Sequence, residues 1–154
     1  MEAVEWYGPG PDETYPDSKQ AGKIGVWWAA VDDLYTEYVL PQENGNRCDA
    51  RWVAFEDVRG AGLLAAGMPT LSFSAHRFTP EDFAKARHTY ELQPRNGVIV
   101  HLDYRQNGLG TNICGEGPLP HYLLKPEPFA FQIRLAAFRT DRSSPADAAR
   151  ALRG

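Results

Sequence analysis

Alternating apolar and polar residues mark two stretches of this chain as β-strands. Within 97–105, every second residue is apolar, and these residues are Val98, Val100, Leu102 and Tyr104. Within 129–135, the same spacing joins Phe129, Phe131, Ile133 and Leu135. A period of two with a polar second face predicts a strand that is covered on one side only.

Weaker alternation predicts three further strands, within 23–31, 52–58 and 71–78. Between the strands lie segments rich in glycine, proline and asparagine, which we interpret as turns, at 8–13, 41–46 and 94–97. Several short strands separated by such turns are typical of an all-β protein. We therefore predict an antiparallel sandwich with one short crossover helix.

That helix is predicted to begin after Thr79, which is followed by a proline and two acidic residues. A threonine N-cap with proline at the first helical position and acids in the first turn is a strong start signal. Phe83, Ala86 and Tyr90 then follow at helical spacing and define its apolar face. The helix is expected to extend as far as Tyr90.

A second helix is predicted to begin after Ser144, which is again followed by proline. It comes after the polar residues 139–143 and carries little apolar surface, so we expect a tail that frays. The predicted organisation is a sandwich domain over residues 1–138 and a polar linker with a tail helix over 139–154.

Composition and charge exclude some partners. The formal net charge is -4, the isoelectric point is near 5.5 and the basic residues are scattered, which argues against a nucleic-acid partner. No run of 18 apolar residues is present, so no membrane-spanning segment is expected. The two cysteines, Cys48 and Cys114, could form one disulfide by number. Because cysteines are few and residues 1–10 do not resemble a signal peptide, we expect reduced thiols and a cytoplasmic location.

Residues 108–117 read GLGTNICGEG and place four glycines around Cys114. The segment lacks the third glycine and the helix of a dinucleotide fingerprint, and it lacks the lysine of a phosphate-binding loop. Cys114 has only His121 nearby in sequence as a base for nucleophilic chemistry, and the histidines show no zinc-ligand spacing, so no metal is expected. The small polar residues Asn107, Thr111 and Asn112 suit a neutral ligand rich in hydroxyl groups better than an anion.

Four stretches in order carry a resemblance to a known family, and they span 6–17, 38–52, 74–92 and 103–124. The first reads WYGPGPDETYPD and the second YVLPQENGNRCDARW, while the fourth contains DYRQNGLG ahead of a cysteine-bearing turn. Together they resemble the C-terminal, small-chain region of the β-galactosidases of glycoside hydrolase family 2. The resemblance covers nearly all of residues 4–138.

The resemblance implies a fold and a division of labour. It implies the later half of an antiparallel supersandwich of the galactose-mutarotase-like type. The family hydrolyses terminal β-galactosides with retention, using two glutamates on a separate barrel domain, so no catalytic residue and no cofactor are expected here. The loop that contains Cys114, Asn112 and Thr111 is expected to line the aglycone side of the galactoside pocket. Expected partners are the catalytic barrel, the galactoside and further copies of the protein.

An alternative from a different class is a free-standing sugar-binding or mutarotase-like module. A mutarotase needs its own acid and base, and His101 with Asp103 or Glu56 could supply them. In the β-galactosidase interpretation, Glu13 and Glu43 belong to turn motifs, and we expect structural roles for both.

Overall fold

The computed structural model of the chain describes residues 1–109 and 117–154. The β-strands are Ala3–Gly10 (β1), Lys23–Ala30 (β2), Arg47–Glu56 (β3), Ala61–His76 (β4), Ile99–Asp103 (β5) and Ile133–Arg139 (β6). The α-helices are Pro80–Lys85 (α1) and Pro145–Arg153 (α2). Short 3-10 helices lie at Lys19–Ala21, Val31–Leu34, Thr89–Glu91 and Pro120–Tyr122.

All six strands belong to one antiparallel sheet, which confirms the predicted all-β class. The strands run in the order β2-β1-β3-β4-β5, and β6 also pairs with β4. The long strand β4 makes this arrangement possible, because β6 pairs with its residues 61–67 and β5 with its residues 72–76. Membership of a supersandwich stays a prediction that follows from the resemblance.

The main core lies on one face of this sheet. It is built from fully buried side chains of β1, β3 and β4, among them Trp6, Phe55 and Phe73. The Trp6 and Phe55 rings both meet Phe73 edge-on, with centroid distances of 5.8 and 6.1 Å. Alternate residues of a strand point to the same face, and burial of these large rings is the main source of stability for such a sheet.

The alternation in 97–105 is confirmed, although β5 itself is shorter than predicted. Val98, Val100 and Leu102 pack against the main core, as the pattern predicted. Tyr104 lies beyond the end of the strand, where its ring stacks on Phe129 at 4.9 Å. The predicted strand at 129–135 begins only at Ile133.

The sequence interpretation of 8–13 as a turn was wrong for its first half. Gly8, Pro9 and Gly10 continue β1, where they pair with Gly25, Ile24 and Lys23 of β2. Proline has no N–H and is tolerated in a strand where that group has no partner. The ladder with β3 runs only from Ala3 to Tyr7, so Pro9 lies beyond it.

Helix α1 begins as predicted but is shorter. The Thr79 side chain accepts from the Asp82 N–H, and the Asp82 carboxylate accepts from the Thr79 N–H, which is a complete capping box. Phe83 and Ala86 are buried, but the helix ends at Lys85 and Tyr90 is exposed. The predicted extension of the apolar face to Tyr90 was therefore wrong.

Helix α2 begins at the predicted cap, but it packs on the sheet instead of standing free. Ala149 is 1% exposed and belongs to a second apolar cluster with Trp52, Leu64 and Phe138, on the sheet face opposite the main core. The Arg153 guanidinium also donates to the Gly67 carbonyl oxygen over 2.7 Å. A small residue at position 149 lets the helix approach closely, which a search for large apolar residues does not detect.

Candidate functional site

The two ends of the glycine-rich loop are tied to each other at the end of β5. The Gly108 N–H donates to the Tyr122 carbonyl oxygen over 3.1 Å, and the Leu124 N–H donates to Asn107 Oδ1 over 2.8 Å. The predicted substrate-binding residues Thr111, Asn112 and Cys114 lie outside the described residues. The described ends nevertheless show where the loop joins the sheet.

The first sequence motif reaches this loop through Asp17. The Leu109 N–H donates to Asp17 Oδ1 over 3.3 Å, across 92 positions of sequence. The turn that carries Asp17 is closed by the Ser18 N–H, which donates to the Tyr15 carbonyl oxygen over 2.9 Å. Residues of the motifs at 6–17 and 103–124 thus meet at the start of the loop.

The first and second motifs are joined by Glu13. Its carboxylate accepts from the Gly45 N–H over 2.7 Å and also from the Tyr38 hydroxyl. Gly45 has φ +71°, a left-handed conformation that favours glycine, and a side chain there would collide with the ring of His76. Both of these hydrogen bonds join the motif at 6–17 to the motif at 38–52, so they give Glu13 a structural role.

Arg47 of the second motif is buried between the segments that Glu13 joins. Its guanidinium donates to the carbonyl oxygens of Gly45 over 2.7 Å, Pro11 over 3.1 Å and Leu34 over 3.2 Å. Burial lowers the pKa of Arg47 to about 10, while nearby acidic side chains oppose that shift. A buried cation with three carbonyl partners fixes the relative positions of three chain segments.

The third motif enters through His76 at the end of β4. The ring is 6% exposed, and its Nε2 forms a hydrogen bond with the Asn44 carbonyl oxygen over 2.9 Å. Because a carbonyl oxygen can only accept, Nε2 carries a proton and donates it to Asn44. Burial lowers the pKa of His76, an effect that the Asn44 carbonyl only partly offsets.

The acid and base that the mutarotase-like alternative requires are only partly brought together. His101 pairs with Ser74 of β4, whereas Glu56 pairs with Gly62, twelve residues further back along the same strand. Asp103, the other candidate, lies two positions after His101 on β5. Glu43, which was not a candidate for this role, is a further carboxylate whose charge interacts with His101. Burial raises the pKa of Glu43, and His101 and the Tyr15 hydroxyl, which donates to Glu43 over 3.4 Å, act in the opposite direction.

A cavity of about 290 Å³ lies beside the described ends of the loop. Its walls include Cys48, Asp49, Tyr104, Gln106, His121 and Tyr122. Several of the polar groups around it are already paired, since Lys19 binds Asp49 at 2.8 Å and Gln106 donates to Asp103 over 3.0 Å. Within residues 1–109 and 117–154, no three histidine, cysteine or acidic side chains are grouped so as to hold a metal ion.

The Cys48 thiol is free and buried beneath this cavity. It lies 3.2 Å from the Thr14 carbonyl oxygen, and the Asn46 amide donates to its sulfur at the same distance. Burial raises the pKa of Cys48 to about 11, so the thiol is protonated at neutral pH and unsuited to nucleophilic chemistry.

Sequence analysis did not assign a role to Asp17, Arg47 or His76. All three belong to the four motifs, and each forms a hydrogen bond with the backbone of another segment. Contacts of this kind leave no spacing pattern in the sequence. Their one sequence signal is the presence of ionisable residues inside glycine- and proline-rich motifs.

The fold and the motif contacts first define a class of protein. It is an antiparallel β-sheet domain whose glycine-rich loop follows β5, the last strand in the order β2-β1-β3-β4-β5. Within the described part of the chain, no helix is long and apolar enough to cross a membrane. Residues 1–135 match the family described as "Beta galactosidase small chain". The chain belongs to this family.

Relatives named beta-galactosidase match most of the chain. The chain is 35% identical to the protein of Priestia megaterium over 80% of its length and 36% identical to that of Aeromonas hydrophila over 81%. It is 34% identical to the Vibrio cholerae protein over 92% of its length. In each case the match covers only 12 or 13% of the relative, so the chain corresponds to a small part of a much larger β-galactosidase.

Proposed function

We propose that this chain is the domain of a β-galactosidase that packs against the catalytic barrel and completes the aglycone side of the active site. The observation that carries the proposal is the tethered base of the loop at 108–124, held by residues of the first motif. Relatives that match this chain are named beta-galactosidase, and the chain accounts for about an eighth of their length.

The chain contributes binding and no bond cleavage in this proposal. Retaining β-galactosidases use two carboxylates, one as acid and base and one as nucleophile, about 5 Å apart. The resemblance implies that both lie on the barrel. Glu13 and Glu43 are the glutamates of the motifs at 6–17 and 38–52. Glu13 accepts from the Gly45 N–H, and Glu43 accepts from the Tyr15 hydroxyl.

The loop residues Thr111, Asn112 and Cys114 are the proposed contacts to the aglycone of a β-galactoside such as lactose. Related enzymes carry tryptophan or cysteine at the position of Cys114. A tryptophan ring can stack on a sugar face, whereas cysteine offers a small polarisable surface. An enzyme with Cys114 should therefore bind the leaving sugar weakly.

The test compares Cys114→Trp with wild type in the complete β-galactosidase that includes this region. We expect a lower KM for lactose or a lower acceptor constant for glucose, by about 0.5–1.5 kcal/mol of aromatic contact. An aryl galactoside, which has a different leaving group, should respond differently, and the pH profile should not move. If a correctly folded variant has the same KM for lactose and the same acceptor constant for glucose as wild type, Cys114 does not contact the aglycone.

Assembly and location are further parts of the proposal. Ile24, Val26 and Trp28 lie on one face of the edge strand β2, and each is more than half exposed. An exposed apolar row on a strand with a free edge favours association with other polypeptide surfaces. We propose that the isolated chain dimerises or aggregates. A chain that stays monomeric at high concentration would contradict this proposal. We also propose that the complete enzyme is a cytoplasmic oligomer of lactose metabolism.

A further inference from the structure

A second cavity, of about 300 Å³, lies on the sheet face opposite the main core, between helix α2 and the edge strand β2. Its apolar walls come from β1, β2, β3 and α2, and they are Tyr7, Val26, Trp52, Ala146 and Ala149. Pockets for small ligands have mostly apolar walls and volumes of about 300 to 1,000 Å³. The two aromatic rings and the short alanine side chains therefore leave room for a compact apolar group.

This cavity is separate from the glycine-rich loop. Its sheet residues lie on β2, β1 and β3, whereas the loop follows β5, and β4 lies between β3 and β5. Helix α2, which forms the other wall, begins at Pro145 and lies outside the residues 1–135 that match the family. The cavity is thus a different site from the proposed contacts to the aglycone.

Among the residues that the structure describes, every charged side chain in the cavity wall belongs to an arginine. These residues are Arg51 of β3 and Arg150 and Arg153 of α2. Arg150 is paired with Asp147 at 2.7 Å, on the exposed side of the helix. One acid against three arginines leaves a net positive charge at the cavity, which favours an anionic ligand.

Arg51 is the arginine best placed to bind an anion. Its side chain is exposed, and its guanidinium lies over the Tyr7 ring, with Cζ 4.9 Å from the ring centroid. A guanidinium stacked on an aromatic ring keeps its N–H groups in one plane, where two of them can bind a carboxylate in parallel. The Tyr7 ring therefore connects the charged rim of the cavity to its apolar floor.

Arg153 fixes the helix that forms the opposite wall. Its Nη1 donates to the carbonyl oxygens of Gly67 over 2.7 Å, Arg51 over 2.9 Å and Pro69 over 3.1 Å. These bonds hold the C-terminal end of α2 against β3 and β4. Because the wall is held by the fold itself, a ligand does not have to form the cavity when it binds.

We propose that this cavity binds a small amphiphilic carboxylate, whose apolar body lies on Tyr7 and Trp52 and whose carboxylate pairs with Arg51. Burial of the apolar body against two aromatic rings supplies affinity. The arginine pair supplies selectivity for the anion over a neutral molecule of the same shape. The inference goes beyond the proposed function and does not depend on it, because none of these residues belongs to the aglycone side.

The experiment measures the dissociation constant of 4-phenylbutyrate for the complete β-galactosidase that includes this region, by saturation-transfer NMR. A nonhydrolysable thiogalactoside is present at saturation, so that the catalytic site is filled. The neutral analogue 4-phenylbutan-1-ol has the same apolar body but forms no ion pair, and we expect it to bind about tenfold more weakly. Higher ionic strength should weaken binding of the carboxylate and leave that of the alcohol unchanged.

Two results of this comparison would overturn the inference. One is equal dissociation constants for the carboxylate and the alcohol. The other is the absence of saturable binding of 4-phenylbutyrate, which is expected if another part of the enzyme covers the cavity.

The charge is tested by Arg51→Gln, a substitution at an exposed position. It should raise the dissociation constant of 4-phenylbutyrate about fivefold and leave that of the alcohol unchanged. Arg59→Gln is the matched control, because Arg59 is an exposed arginine of the turn between β3 and β4 and does not line the cavity. It should behave as wild type.

The apolar part is tested by Ala146→Leu, which fills the cavity from the side of α2. It should weaken binding of both ligands at least about tenfold, whereas Ala151→Leu, at an exposed position of the same helix, should not. All four variants should retain turnover of a chromogenic galactoside, which shows that each is folded. Should Ala146→Leu fail to fold, Arg51→Gln still tests the site. Unchanged affinity for 4-phenylbutyrate in Arg51→Gln or in folded Ala146→Leu would place the ligand elsewhere and overturn the inference.

Discussion

The carboxylate of Glu13 accepts a hydrogen bond from the backbone N–H of Gly45 over 2.7 Å, and these residues lie 32 positions apart. The contact joins the two longest turn motifs of the chain. Because Gly45 is in a left-handed conformation and packs on the ring of His76, the contact also determines where the third motif meets the other two. One carboxylate therefore organises three of the four motifs.

Replacement of Glu13 by alanine should destabilise the domain. It removes a charged acceptor from the Gly45 N–H and the Tyr38 hydroxyl, and hydrogen bonds to charged groups contribute about 1.5–3 kcal/mol each. We expect the free energy of unfolding in urea to fall by about 2 kcal/mol. Glu37→Ala, at an exposed position of the same region, is the control and should change it by less than about 0.5 kcal/mol. Equal effects of the two variants would show that the Glu13 contacts do not stabilise the fold.

Helix α2 should prove to be part of the folded unit. Ala149 is buried against Trp52 and Leu64, so Ala149→Asp would place a charge in an apolar cluster. A loss of about 2–4 kcal/mol in the free energy of unfolding is expected. Ala151→Asp puts the same charge at an exposed position of the same helix and should cost well under about 1 kcal/mol. If both variants melt at one temperature, α2 does not pack as described.

His76 should make stability depend on pH. Its pKa is lowered in the folded chain, so the unfolded chain binds the proton more readily. Its contribution is present above pH 6.5, the usual histidine pKa, and is lost as the pH falls from there towards the lower folded value. Between pH 7 and 5, His76→Gln should flatten the slope of unfolding free energy against pH, by at most about 1.4 kcal/mol per pH unit. Parallel slopes for wild type and variant would contradict this account of His76.

Cys48 should react slowly with thiol reagents. Its pKa is raised to about 11, so only about one thiol in a thousand is ionised at pH 8, and the sulfur is buried as well. In the Cys114→Ser background, which isolates Cys48, labelling should be at least about 100-fold slower than for free cysteine. Unfolding in urea should abolish the difference. Labelling of the folded chain at the rate of free cysteine would mean that Cys48 is not buried.

The sequence predicted those parts of the fold that depend on local signals. The caps at Thr79 and Ser144 act locally, and both helices begin where the sequence indicated. The alternation around Val100 reflects one-sided burial and correctly placed the inward residues of β5. Such features depend on neighbours within a few positions, which a single sequence displays.

The remaining features depend on contacts between distant segments. Residues 8–10 were predicted to form a turn because they are two glycines and a proline. They continue β1 because Pro9 lies beyond the ladder with β3, and the sequence alone does not show where that ladder ends. Helix α2 was expected to fray because it carries little apolar surface. It packs nevertheless, because the small side chain of Ala149 meets Trp52 across the tertiary structure, which the sequence does not display. The hydrogen bond from the Leu109 N–H to Asp17 spans 92 positions. Because its donor is a backbone N–H, no periodic pattern of side chains in the sequence could have predicted it.

The proposed role of the chain is tested most directly by a reconstitution assay with a chromogenic β-galactoside. Three preparations are compared: residues 1–154 alone, a β-galactosidase polypeptide that contains the barrel but lacks this region, and the two combined. We expect no turnover from 1–154 alone and substantially more turnover from the mixture than from the barrel polypeptide. Turnover by pure 1–154 that a substitution within this chain abolishes would contradict the account, as would a barrel polypeptide that is fully active without it.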